Sequence, residues 1–272
     1  MKLIIRTTKE EANEWAAKFI VKQINDFRPG PRNYFVLALS IYSNALGLCS
    51  KLVEFYESGK VSFKFVKIFN LEEYVNLSEN HPQSYHYKMW KHLFRQIDIS
   101  PSNVIIPDGN VKDLVAECKQ YENKIQNNGG FDLFLGEISP DGQLSFNEPA
   151  SSLGSRTRVK NLAHVRKLER ARQFENDVSK VPKRAISAGV GTIMDARNVV
   201  LYASGSDKAF ALYKAVEENI NHMVILSVFQ KHPQTFIVCD KQATFELKVK
   251  TIDYFSSLCD PLTETAANRY SE

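Results

Sequence analysis

In the stretch SPDGQLSFNEP, Ser139 to Pro149, two carboxylates, Asp141 and Glu148, stand seven positions apart in a turn-rich segment behind an apolar run. Two acids so placed could share one site and do acid–base work. Histidine is the side chain best matched to carrying a proton between them near neutrality. Gln143 stands there instead. An amide donates and accepts hydrogen bonds but does not titrate. The loop is therefore either a catalytic site or the frame of one.

The elements that must position this loop are legible as an alternation. Met1 to Arg6 predicts a short strand, and Thr8 with Glu11 a capping box that opens a helix ended by RPGP. YFVLAL, VSFKFVKIF, NVIIP, FDLFLGEI, NVVLYAS and TFIVCD predict strands. Between them, 45–56, SYHYKMWKHLFRQI, VKDLVAECKQYENKIQ and SDKAFALYKAVEENI predict helices, and ATFELKVKTIDYFSSL a long last one. Strands apolar throughout, separated by amphipathic helices, predict an α/β fold: a Rossmann-like, mostly parallel sheet with helices on both faces. The whole chain, 1–272, reads as one domain, with 150–182, rich in Ser, Arg and Lys, as a candidate mobile lid. Ligands of such sheets bind outside the carboxyl ends of the strands. That directs attention to residues 40–45, 70–74, 137–148 and 204–208.

Composition narrows the classes. Thirty-five Lys and Arg against 31 Asp and Glu leave a formal charge of +4, with no basic block, so nucleic acid is not an expected partner. Four dispersed cysteines without a C-x-x-C pair predict reduced thiols of a cytoplasmic protein. His81, His86 and His92 lack acidic or cysteine partners at ligand spacing, so no metal site is expected. No signal-peptide pattern and no membrane-length apolar run is present, so no membrane association is expected.

FNLEEYVNL, HPQSYHYKMW, DGNVKDLVAECKQYE, FNEPASSLGSRTRVKNL, GVGTIMDAR and FIVCDKQATFELKVKTIDYF carry a resemblance over essentially the whole chain to the glucosamine-6-phosphate deaminase family. The resemblance implies a Rossmann-like fold, usually hexameric, and conversion of glucosamine 6-phosphate to fructose 6-phosphate and ammonia without cofactor. Such chemistry needs a proton shuttle for ring opening, a carboxylate to move a proton between C2 and C1, and fixed donors for the phosphate.

The family's pattern G-G-[VI]-G-x-D-G-H-[IL]-[AS]-F-N-E-P is matched here from Gly136 to Pro149, with Glu137 and Ser139 replacing glycines and Gln143 replacing His. Glu72 stands where the family has a base Asp, one methylene further out. The phosphate turn L-P-T-G-G/S-T-P becomes Leu39 to Ala45, in which Ser43 and Asn44 remain as hydrogen-bond donors and Tyr42 crowds the backbone approach. Arg172 and Lys208 fall on the family's phosphate-contacting cations. Asp141 and Glu148 are retained. Ser151, Ser152, Arg158, Lys160 and Tyr254 match the family's allosteric site for N-acetylglucosamine 6-phosphate between subunits; Asn161 replaces its Thr.

Two functions stay open. One is a working deaminase with a reshaped site. The other, favoured because the departures gather in three catalytic segments, is a non-catalytic sugar-phosphate-binding or regulatory subunit, homo-oligomeric or paired with an active paralogue. A 6-phosphogluconolactonase-type hydrolase is weaker, since its own catalytic His would also be missing.

Overall fold

A computed structural model describes residues 1–40 and 46–262. Seven strands form the central sheet: β1 (Lys2–Arg6), β2 (Phe35–Ser40), β3 (Val66–Asn70), β5 (Val104–Ile105), β6 (Leu133–Glu137), β9 (Asn198–Ala203) and β10 (Thr235–Asp240). Their order is β1-β10-β9-β6-β2-β3-β5, and every pairing is parallel. Successive side chains of a strand point to opposite faces, and β2 shows the consequence. Leu37 and Leu39 enter one core with Trp15, Phe19 and Ile20 of α1 (Lys9–Phe27) and Leu52 of α2 (Leu46–Glu57). Val36 and Ala38 enter the other with Tyr121 of α4 (Leu114–Asn127), Ile193 of α6 (Val190–Met194) and Leu212 of α7 (Ala209–Glu217). The parallel, doubly covered sheet expected from the apolar runs is the sheet observed.

Local chemistry sets the element ends. Thr8 accepts the Glu11 amide at 3.2 Å, while the Glu11 carboxylate takes the Thr7 amide at 2.8 Å, one residue before the cap. The run VSFKFVKIF begins its strand only at Val66; Val61 and Phe63 bury their side chains without joining the ladder. Helix α3 (Tyr85–His92) gives way to a 3₁₀ turn over Phe94–Gln96. The last helix is shorter than its pattern predicts, α8 spanning only Val249–Ser256. The preceding residues form a 3₁₀ turn because Asp240 accepts the Ala243 amide at 2.9 Å and also holds Ser204 and Gly205.

The element that apolar patterning does not announce is a second, antiparallel sheet of β4 (Glu72–Tyr74), β7 (Arg158–Asn161) and β8 (Arg184–Ser187). Its strands are three or four residues long, and EEY and RVKN carry few apolar residues. β4 follows β3 after one residue, so the chain steps directly from the carboxyl edge of the large sheet into the small one. The interval 150–182 contains β7 and α5 (His164–Ala171), whose Ala171 packs with Tyr74, Phe146 and Phe174.

Gly189, just after β8, passes so close to the backbone of Ser155 that a Cβ there would lie 2.0 Å from its carbonyl oxygen. Gly189→Ala is expected to destabilise the protein by about 1–3 kcal/mol, as overpacking against fixed backbone does. The urea midpoint checks this; an unchanged midpoint would contradict the packing described.

Candidate functional site

The site lies where the two sheets meet. Glu72, first residue of β4, is completely buried. The Asn70 side chain donates to its carbonyl at 2.7 Å, and Ser40, the last residue of β2, places its hydroxyl 3.0 and 2.9 Å from the two carboxylate oxygens. Burial pushes the Glu72 carboxyl up to about 7, against hydrogen bonds from Ser145 and Ser40 and the nearby charge of Arg170. Such a value would suit a base near neutrality. The adjacent Glu73 does different work. It accepts from the amides of Tyr74, Tyr85 and His86 and from the Ser84 hydroxyl, so it pins the start of α3 to β4. Burial is the first cause raising its pKa as well.

The loop after β6 is buried and tightly wired. Gly142 and Ser145 both take positive φ, 74° and 56°. Ser145 and Ser187 hydroxyls lie 2.9 Å apart, and Asn147 donates to Leu144 and Ala188 carbonyls, which ties the loop to β8 and the residue that follows it. The two acids of the opening motif do not share one site. Asp141 accepts from the Ser139 hydroxyl at 2.6 Å and forms an ion pair with Arg166 of α5. Glu148 accepts the Ala163 amide at 3.3 Å, and its charge supports Lys160. Between them, the Gln143 side chain is buried, and its Oε1 finds no hydrogen-bond donor among the described residues. A buried unpaired carbonyl is an acceptor open to a ligand.

Of the expected phosphate contacts, Lys208 and Arg172 are described. Ser43 and Asn44 fall in 41–45, outside the described residues. Lys208 is buried, with its ammonium 2.5 Å from Asp207, just before α7. Arg172, at the carboxyl end of α5, is exposed; its backbone amide donates to the Arg170 carbonyl, and its side chain makes no hydrogen bond or ion pair among the described residues. The expected effector residues are partly gathered. Arg158 and Lys160 are two apart on β7 and so share a face, with Lys160 3.5 Å from the buried Ser151 hydroxyl. Burial lowers the pKa of both, and the charge of Arg158 lowers that of Lys160 further. Ser152 is exposed and accepts the Gly154 amide. Tyr254 projects from α8 with 61% of its surface exposed.

Sequence reasoning missed Ser40, Ser145, Arg166 and Arg170. Ser40 and Ser145 fall within the strand-end segments 40–45 and 137–148 without being singled out there, and Arg166 and Arg170, four apart in HVRKLERA, lie on one helix face. Arg170 donates to the hydroxyls of Tyr74 and Tyr85 at 2.9 and 3.3 Å and lies 4.7 Å over the Phe146 ring. The histidines are engaged separately: His81 stacks on Phe174, and His86 lies 3.8 Å from Glu79. Among the described residues no helix is long and apolar enough to cross a membrane.

Fold and site together define a doubly wound α/β protein with a buried, acid-bearing polar cluster at the carboxyl edge of its parallel sheet. The chain matches the family Glucosamine-6-phosphate isomerases/6-phosphogluconolactonase over residues 7–238, and it belongs to that family. It is 55% identical to a glucosamine-6-phosphate deaminase of Aedes aegypti, over 95% of this chain and 93% of that one. It is 54% identical to human glucosamine-6-phosphate deaminase 2, over 95% and 94%. A monomeric glucosamine-6-phosphate deaminase of known structure superposes with a TM-score of 0.85 at 33% identity, covering 90% of this chain and all of that one. A 6-phosphogluconolactonase from Trypanosoma brucei, 14% identical with a TM-score of 0.71, shares the fold.

The raised Glu72 pKa fixes the sign of a pH effect. Between the ordinary 4.5 and about 7, the unfolded chain has released this proton and the folded chain keeps it, so stability falls as pH rises. Glu72→Gln should remove that loss and gain on wild type by roughly 2–3 kcal/mol between pH 5 and pH 8. Urea unfolding at both pH values tests it; parallel curves would show that Glu72 ionises in the folded protein as it does in water.

Proposed function

We propose that this chain is a sugar-phosphate-binding member of the deaminase family whose catalysis is severely impaired, and that it acts as a binding or regulatory subunit. The carrying observation is Gln143, a group that cannot titrate, standing where the family resemblance places the ring-opening histidine. The surroundings support it. Asp141 is neutralised by Arg166, Glu148 faces Lys160, and Glu72 is sealed behind two serine hydroxyls. Loss of general acid–base help is worth about 100- to 10,000-fold in rate. A second reading, an active deaminase with an altered site, is favoured by the names of relatives 52–55% identical and by the near-neutral pKa of Glu72.

Regulation would act through Ser151, Arg158 and Lys160, with N-acetylglucosamine 6-phosphate as effector. Tyr254 would complete that site from another subunit of a homo-oligomer, by family resemblance a hexamer, or of a hetero-oligomer with an active paralogue. Tyr254 is 61% exposed, as are Val249 and Phe245 of the same carboxyl-terminal segment at 73% and 64%, which supports a covered surface there. A cytoplasmic location follows from the same reading.

With glucosamine 6-phosphate, the protein should release no ammonia above background at any effector concentration, and Gln143→His combined with Glu72→Asp should raise the rate. Wild-type turnover on the order of one per second would overturn the proposal, since ordinary enzymes work in that range. N-acetylglucosamine 6-phosphate should raise the melting temperature, and Arg158→Ala with Lys160→Ala should abolish the shift. An equal shift in both proteins would remove the effector site.

A further inference from the structure

The amino edge of the parallel sheet, opposite the Glu72 cluster, holds a cleft of about 520 Å³, within the size range of small-ligand sites. The six residues of β2 run from Phe35 at this edge to Ser40 beside Glu72, so roughly 17 Å of strand separates the two places. The entry ends of β2, β6 and β9 meet in the cleft. Asn33 and Tyr34 lead into β2, Asp132 into β6, and Asn198 opens β9, while the end of α1 adds Gln23 and Phe27.

The floor is fixed by its own contacts. Asp132 accepts the Val36 amide at 2.8 Å and the Arg197 guanidinium at 2.9 Å, and that guanidinium also donates to the Gly129 carbonyl at 3.0 Å. Asn198 donates to the Asp132 carbonyl at 3.0 Å. The acids lining the cleft have cationic partners, Asp132 in Arg197 and Asp26 in Lys22, so a charged ligand gains no uncompensated opposite charge there.

The polar groups left over are neutral. The side-chain amides of Gln23 and Asn33 and the Tyr34 hydroxyl make no hydrogen bond among the described residues. Asn33 is nonetheless held in place, because its backbone exchanges hydrogen bonds of 2.9 and 3.0 Å with Gly30. Each amide offers both donors and an acceptor, and so does a phenol hydroxyl. That pairing matches a sugar hydroxyl, which also does both. Beside them the half-buried Phe27, edge-on to Phe35 with ring centroids 5.4 Å apart, offers apolar surface to the C–H bonds of a pyranose ring.

We infer that this cleft is a second ligand site, separate from the Glu72 cluster, and that it takes an uncharged, hexose-sized sugar through Gln23, Asn33 and Tyr34. Nuclear magnetic resonance titration of the full chain with glucose tests this. The backbone amide signals of Tyr34, Gly129 and Asn198 should shift along a saturable curve with a Kd on the order of millimolar, the strength of a few neutral hydrogen bonds. Gln23→Ala combined with Asn33→Ala should weaken glucose binding about tenfold or more with an unchanged urea midpoint. Glu72→Gln should leave glucose binding as it is. Adenosine, uncharged but carrying a planar base, should bind more weakly than glucose. Shifts that stay linear, equal binding by the double variant, or loss of binding in Glu72→Gln would overturn the site, and tighter binding of adenosine would overturn its ligand class.

Discussion

A carboxylate sealed at the joint between two sheets is the constraint around which this protein is arranged. Glu72 stands one residue beyond the end of β3, after Leu71, and opens β4, so its place is fixed by the parallel sheet on one side and the antiparallel sheet on the other. Burying an ionisable group is costly unless it is hydrogen-bonded or neutral, and this structure uses both remedies. Ser40 reaches it from the edge of β2, Ser145 from the loop after β6, and the pKa rises so that the group is substantially protonated at neutral pH. Ser145 in turn meets Ser187 of β8, whose register partners are Glu72 and Arg158. The buried acid, the motif loop and the basic strand β7 are thus joined through one serine.

The same economy governs the rest of the pocket. A family resemblance implies a relay in which acids and a histidine exchange protons with substrate. Here each surviving acid has a fixed partner instead: Asp141 has Arg166, Glu148 has the Ala163 amide and Lys160, and Glu73 has the start of α3. Helix α5 supplies both Arg166 and Arg170, four residues apart, so one helix face both neutralises the loop and adds positive charge beside Glu72. Gln143 is left with an unused acceptor, as are Asn70 and Asn147, and its amide can hydrogen-bond but cannot pass on a proton. Binding and turnover are separable properties, and the arrangement favours the first.

How much of this was legible in the sequence depends on the physical signal each part carries. The parallel sheet was, because FVLALS and TFIVCD are buried on both faces and so are apolar without alternation. The small sheet was not, because RVKN has no apolar run and finds its place only through pairing with β8. The last helix is shorter than its pattern predicts because the turn at Asp240 is held by contacts with Ser204 and Gly205, far away in the sequence, that periodicity does not carry. At the site, spacing offered one shared site for Asp141 and Glu148; their different partners show that loop geometry, with positive φ at Gly142 and Ser145, decides the matter. Glu72, Arg158 and Lys160 were singled out through motif resemblance. Ser40 and Arg170 act across elements that only tertiary structure brings together.

We propose that this site captures ligand but does not move the C2 proton, because the ring opening that must come first has no titratable group at Gln143. Proton nuclear magnetic resonance of glucosamine 6-phosphate with the protein in deuterium oxide measures that step without reference to ammonia. The C2 proton signal should persist unchanged while the ligand is bound. Its exchange for deuterium at a rate on the order of one per second, the range of working enzymes, would contradict the account.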